Sequence, residues 1–99
     1  MLYAIIARDV AHSRELRPHV RPRHMEHLKT LADRGQVVFA GPHPAIDSPD
    51  PGPAGFSGSL IIAEFDSLGD AQQWSASDPY VLEGVFADVE IKPVIQAFP

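Results

Sequence analysis

The run from Leu2 to Ala7 is almost wholly apolar, which predicts a first strand covered on both faces. The period then lengthens. Met25, Leu28, Leu31 and Ala32 recur at helical spacing, Pro22 suits a first helical turn, and Gly35 supplies the stop. With Pro18 and Pro22 in it, the approach from Ser13 to Arg21 reads as irregular or at most a short turn. Gln36 to Ala40 predicts a second strand ending at Gly41-Pro42. In a third strand, Ser59 to Phe65, both parities are apolar: Ile61, Ala63 and Phe65 on one face, Leu60 and Ile62 on the other. Ser67 and Asp70 have cap spacing for a helix carrying Leu68, Ala71 and Trp74, and Asp78-Pro79 caps a brief turn that ends at Gly84. Val85, Ala87, Val89 and Ile91 then alternate with Phe86, Asp88, Glu90 and Lys92 as a fourth strand, closed by Pro93.

The order βαββαβ predicts an α+β, ferredoxin-like fold in one domain over residues 1–99, a four-stranded antiparallel sheet with two helices on one face. Two helices cover only that face. The apolar residues of the other parity need a second cover, and the sheet of an identical subunit packed face to face is the economical one. The stretch Pro42 to Gly55 holds Pro42, Pro44, Pro49, Pro51 and Pro53 with Asp47, Ser48, Asp50 and Gly52, and reads as a long loop without a regular element. Such loops are binding loops or plain surface excursions.

Composition narrows the chemistry. There is no cysteine, hence no disulfide, thiolate metal site or cysteine nucleophile. The net charge of −5 argues against a nucleic-acid partner. The apolar start meets Arg8 and Asp9 at once and is too short for a secretory signal, so a cytoplasmic protein with no membrane partner is expected. Five of the eight cationic side chains (Arg8, Arg14, Arg17, Arg21, Arg23) lie in the first quarter, opposed only by Asp9 and Glu15. That segment either attracts a small anion or is simply solvated.

Two signatures carry candidate chemistry: Arg21-Pro22-Arg23-His24, read as opening a helix, and Asp78-Pro79-Tyr80, opening another. At 100° per residue from His24, Leu28 lies near 40° and Leu31 near −20°, so His24 points with the apolar stripe towards the sheet. It is either a core histidine tying helix to sheet or, facing a carboxylate, a group that moves protons near neutral pH. Asp78 looks like an N-cap, and a cap leaves one carboxylate oxygen for an imidazole. Ser59 reads as a hydrogen-bond partner for substrate or a plain strand-start serine; no nucleophile elbow surrounds it. Tyr80 and Tyr3 read more naturally as core aromatics than as acids. Arg8 suits an anionic ligand, or a pair with Asp9 or Glu64. Arg8, Arg21 and Arg23 flank the expected helix start, whose dipole would also favour an anion. His24 and His27 lack the HExxH spacing, and His12, His19 and His43 fall in expected loops, so no metal is expected. Without a glycine-rich phosphate loop, no nucleotide cofactor is expected either.

The ordered set Arg21-Pro22-x-His24, Ala40-Gly41-Pro42, Gly55-Phe56-x-Gly58-Ser59-Leu60, Ala63-Glu64-Phe65-Asp66, Asp78-Pro79-Tyr80 and Gly84-Val85 resembles the YCII-related (YciI-like) family. That family lies within the dimeric α/β barrel superfamily, with muconolactone isomerase and small cofactor-free monooxygenases. The resemblance implies a ferredoxin-like dimer with an active-site histidine and aspartate, which fall here on His24 and Asp78. One branch resembles a dehydrochlorinase of chlorinated hydroxyhydroquinone. His43 and the proline-dense loop depart from the family pattern and bear on pocket shape. The expectation is a homodimeric, cofactor-free lyase, dehydrohalogenase or isomerase. His24 would serve as general acid/base and Asp78 as its partner, with Ser59, Tyr80, Arg8 and Arg21 binding a small anionic or phenolic substrate. The competing class is a non-catalytic ligand-binding or dimerisation module of the same fold.

Overall fold

The computed structural model describes all residues 1–99. β1 (Leu2–Asp9) lies inside a four-stranded antiparallel sheet of order β2-β3-β1-β4, with β2 (Val37–Pro44) and β4 (Phe86–Val94) at the edges and β3 (Phe56–Glu64) beside β1. Helices α1 (Ser13–Ala32), α2 (Leu68–Ala76) and α3 (Pro79–Leu82) complete the βαββαβ, ferredoxin-like α+β arrangement. The register explains the two-sided strands. Tyr3, Ile5 and Ala7 pair across with Ala63, Ile61 and Ser59 and are buried with Leu28, Leu31, Phe65 or Val20 on the helical side. Ala4 and Ile6 pair with Ile62 and Leu60 and stay half-buried on the side no helix covers, where Phe39 opposite Ile62 is 50% exposed.

Three local expectations are corrected. First, Ser13 to Arg21 is not irregular but forms the first half of α1, a helix of 20 residues. Its buried positions are Ser13, Arg17, Val20, His24, Leu28 and Leu31, one stripe at spacings of three and four. Pro18 and Pro22 sit on the exposed side of that stripe. An internal proline costs least on the solvent side of a helix, where water can bond to the carbonyl that loses its N–H partner.

Second, β2 runs on through Pro42, His43 and Pro44, which pair with Ser59, Gly58 and Phe56. An edge strand accommodates proline because one side of its backbone has no ladder to break. Only the remainder of the Pro42 to Gly55 stretch is loop, and it includes a 3-10 turn at Gly52–Ala54.

Third, the register slips between Arg8 and Asp9, so Asp9 faces Phe86 while Arg8 faces Asp88. This bulge inverts the expected parity at the start of β4: Phe86 is buried and Ala87 exposed.

The backbones of β1 and β3 approach closely at Gly58, where a Cβ would run into the Ala7 carbonyl. Only glycine fits there. That approach sets the depth at which Ser59, next along β3, meets α1.

Candidate active site

His24 projects from the fourth turn of α1 and Asp78 caps α3, and the two elements pack together so that His24 Nδ1 lies 2.8 Å from Asp78 Oδ1. Both side chains are almost fully buried, at 8% and 3% exposure. The same Oδ1 accepts the Tyr80 backbone N–H at 2.9 Å. A carboxylate only accepts, so Nδ1 carries the proton in this pair, and in the neutral ring Nε2 presents its lone pair. Nε2 has no partner within the protein, and no fully buried side-chain nitrogen or oxygen is left unpaired. Nε2 therefore opens onto the adjoining pocket, which His24 lines. The Tyr80 ring stacks on the imidazole at 3.9 Å and 10°, and Phe86 meets both rings edge-on. The plane of His24 is thus fixed from one face as well as from Nδ1.

The pocket, about 780 Å³, lies between α1, the β2–β3 half of the sheet, to which Pro42 of β2 belongs, and the loop, which contributes Gly52 and Gly55. Apolar wall comes from Met25, Leu28, Ala40, Phe56 and Ile61, and the polar groups are Arg14, Glu15, Arg17, Arg21, His24, Ser59 and Tyr80. An apolar wall with polar groups aimed into a cleft of this size is a common build for a small-molecule site. No helix is long and apolar enough to cross a membrane, and no three His, Asp or Glu side chains are grouped as for a metal ion.

The structure brings His24, Asp78, Ser59 and Tyr80 together, with Asp78 behind His24 rather than in the wall. Arg21 lies at the exposed rim. Arg8 does not line the pocket; it stands at the solvent-exposed end of β1, paired with Asp88 across the β1–β4 ladder rather than with Asp9 or Glu64. Arg23 likewise turns away, to Glu83. Because α1 begins at Ser13, His24 sits in mid-helix, and the dipole expected of a helix start does not act there.

Sequence reasoning missed Arg17. It is buried, forks onto Asp9 (2.7 and 3.0 Å), and donates to the Gly58 carbonyl and to Ser59 Oγ, each at 3.0 Å. Its guanidinium lies 5.2 Å from the Phe56 centroid and 5.0 Å from that of Tyr80. The signal was present as the spacing Ser13, Arg17, Val20, His24, which puts the arginine on the histidine's own stripe. Of the titratable groups in the pocket, Tyr80 is displaced: burial pushes its phenol above the ordinary value, against the opposing pull of Arg17 and Arg21. Its hydroxyl therefore stays a hydrogen-bond donor throughout the neutral range.

The model of the YCII-related domain matches residues 1–95. Protein YciI of Escherichia coli O6:H1 (strain CFT073) is 53% identical over 98 residues, covering 99% of this chain and all of that protein. An uncharacterized protein of Haemophilus influenzae (strain Rd) is 46% identical over the same span and coverage. Among solved structures, 5-chloro-2-hydroxyhydroquinone dehydrochlorinase from Burkholderia phenoliruptrix AC1100, in complex with 2,5-dihydroxybenzoquinone, superposes with a TM-score of 0.83 at 22% identity. The match covers 96% of this chain and 94% of that one, and shows a shared fold. With a family model spanning nearly its whole length and relatives near half identity, the chain belongs to the YCII-related family.

Proposed function

We propose that the protein is an enzyme that moves a proton on a small anionic or phenolic substrate, with His24 as acid/base and Asp78 as its partner. One observation carries this reading: an imidazole held at Nδ1 by a buried carboxylate 2.8 Å away, with Nε2 free at a pocket of about 780 Å³. A core histidine that only ties helix to sheet would have no reason to keep one nitrogen unpaired beside a cavity. Nε2 takes a proton from substrate carbon or oxygen and returns it elsewhere, while Asp78 supplies the counter-charge to the transient imidazolium. Ser59 and Tyr80 position the substrate, and Arg21 with Arg14, neither of which forms an ion pair, gives the rim a positive field. The structural neighbour acts on a chlorinated hydroxyhydroquinone and binds a dihydroxybenzoquinone, which supports an electron-rich hydroxylated ring as the substrate class.

The experiment is solvent deuterium exchange into the ring carbons of 2-hydroxyhydroquinone, followed anaerobically by proton NMR. Exchange through the keto tautomer reports proton transfer to carbon without requiring a particular leaving group. The protein is expected to accelerate it and His24→Asn to lose about 10²–10⁴-fold of that acceleration. No acceleration by the parent protein would leave it as a binding module, and acceleration that survives His24→Asn would remove His24 as the acid/base.

The uncovered sheet face favours a second copy of the chain. Ala4, Ile6, Leu60, Ile62 and Phe39 form a contiguous apolar surface there with no helix over it, the kind of patch that marks an interaction face. Light scattering is expected to give a dimer at micromolar concentration; a stable monomer would remove this part of the proposal.

A further inference from the structure

Arg17 uses Nε and Nη2 on Asp9, the Gly58 carbonyl and Ser59, and no bond within the protein reaches Nη1. Since no fully buried side-chain nitrogen or oxygen is unpaired, Nη1 opens onto the pocket that Arg17 lines. The Tyr80 hydroxyl has the same property: the residue is 1% exposed, its hydroxyl bonds to nothing in the protein, and it lines the same wall. Ser59 Oγ accepts from Arg17 and so keeps its own proton to donate. Three donors on rigid elements thus line the pocket that His24 Nε2 also faces, with Arg17 against both Ser59 and the Tyr80 ring and that ring stacked on His24. A buried guanidinium whose charge is already matched by Asp9 would be a wasteful way to hold three elements together if its remaining N–H groups were not wanted.

We infer that Arg17 Nη1, the Tyr80 hydroxyl and Ser59 Oγ form an oxyanion seat, which selects substrates whose deprotonated form places its charge on an oxygen conjugated with the reacting carbon. The inference rests on the proton-transfer reading above and deepens it. His24 Nε2 takes the proton from a carbon next to a carbonyl; the C–H electron pair becomes the C=C π bond and the carbonyl oxygen becomes an enolate oxygen, met by the three donors. The proton resides on His24 beside Asp78 until it is returned to carbon or oxygen; where the carbon next to the deprotonated one carries chloride, the enolate oxygen pair re-forms the carbonyl, the C=C pair shifts to the new double bond, the C–Cl pair leaves with chloride, and the proton passes from His24 to solvent. No oxidant or reductant is required. Preorganised donors of this kind act where charge develops, and cost no rearrangement during the step.

Tyr80→Phe is the clean variant, because the hydroxyl it deletes has no partner in the protein while the ring stacked on His24 remains. The other charges around the seat, Arg14, Arg21, Glu15, Asp9 and Asp78, are unchanged by it. The probe is 4-nitrophenol, titrated calorimetrically across the pH range in which the free compound ionises, so that affinities for phenol and phenolate are separated. The protein is expected to prefer the phenolate by tenfold or more. Tyr80→Phe should lower that preference about tenfold, as expected for one hydrogen bond to a charged oxygen; Ser59→Ala should lower it less, with both melting temperatures close to that of the parent. Equal affinity for the two forms, no saturable phenolate binding at millimolar probe, or a preference untouched by both variants overturns the seat. If the preference survives both variants while His24→Asn abolishes carbon exchange, the proton-transfer reading stands without the seat. If Tyr80→Phe lowers the preference and His24→Asn leaves exchange intact, the seat stands as an anion site and the proton-transfer reading falls.

Discussion

Arg17→Met is expected to destabilise the protein by about 3–5 kcal/mol, a fall in Tm of roughly 15–30 °C for a domain of this length. The substitution keeps much of the side-chain volume but strips Asp9, whose side chain is 1% exposed, of its only counter-charge. It also takes donors from the Gly58 carbonyl and from Ser59. Most of the loss comes from the stranded carboxylate rather than from the missing bond, since a buried charge without a partner costs more than the pair was worth. The double variant Asp9→Asn/Arg17→Met is therefore expected to recover part of the stability. Thermal melts of the parent, the single variants Arg17→Met and Asp9→Asn, and the double variant, followed by circular dichroism, give the coupling directly. A single variant that melts within a few degrees of the parent would show that water or another cation reaches Asp9.

Asp78→Asn is expected to have the largest effect on activity with the smallest on structure. Both bonds to the carboxylate, from His24 Nδ1 and from the Tyr80 N–H, fall on Oδ1, and an asparagine amide oxygen can accept both. The cap of α3 and the orientation of the ring are retained; the charge is not. Exchange of the ring protons should drop by about 10²–10⁴-fold, with a melting temperature near the parent's. Asp78→Ala differs in kind, because it also removes the cap, worth about 1 kcal/mol, and leaves Nδ1 unpaired. Comparing the two separates what the carboxylate does by position from what it does by charge. Unchanged exchange in Asp78→Asn would assign it to positioning alone.

The sheet was legible because its period is two-sided and its boundaries are marked. In β3, Ile61 and Ala63 are buried under the helices while Leu60 and Ile62 face the uncovered side, as alternation alone predicts. The orientation of His24 was legible for the same kind of reason, because Leu28 and Leu31 fix the inward face of α1. The first half of that helix was not. Two of its three inward positions, Ser13 and Arg17, are polar and only Val20 is aliphatic, and its two prolines mimic a boundary when nothing says they face solvent. Arg8 and Arg17 make the sharpest contrast. An arginine one residue before an aspartate on an alternating strand looks closer to a ligand than one on a proline-flanked segment. The bulge between Arg8 and Asp9 and the continuous helix reverse that order, and both are products of tertiary packing.

The stretch from Pro42 to Gly55 gives one wall of the pocket its edges. Its prolines fix a torsion angle each before folding is complete, so the chain has less freedom left to lose when a ligand arrives. Recognition by this wall then follows the regime of a mould rather than a closing hand. Association should be a single concentration-dependent step with no slower phase behind it, and selectivity among ring substituents should be set by size against a fixed outline.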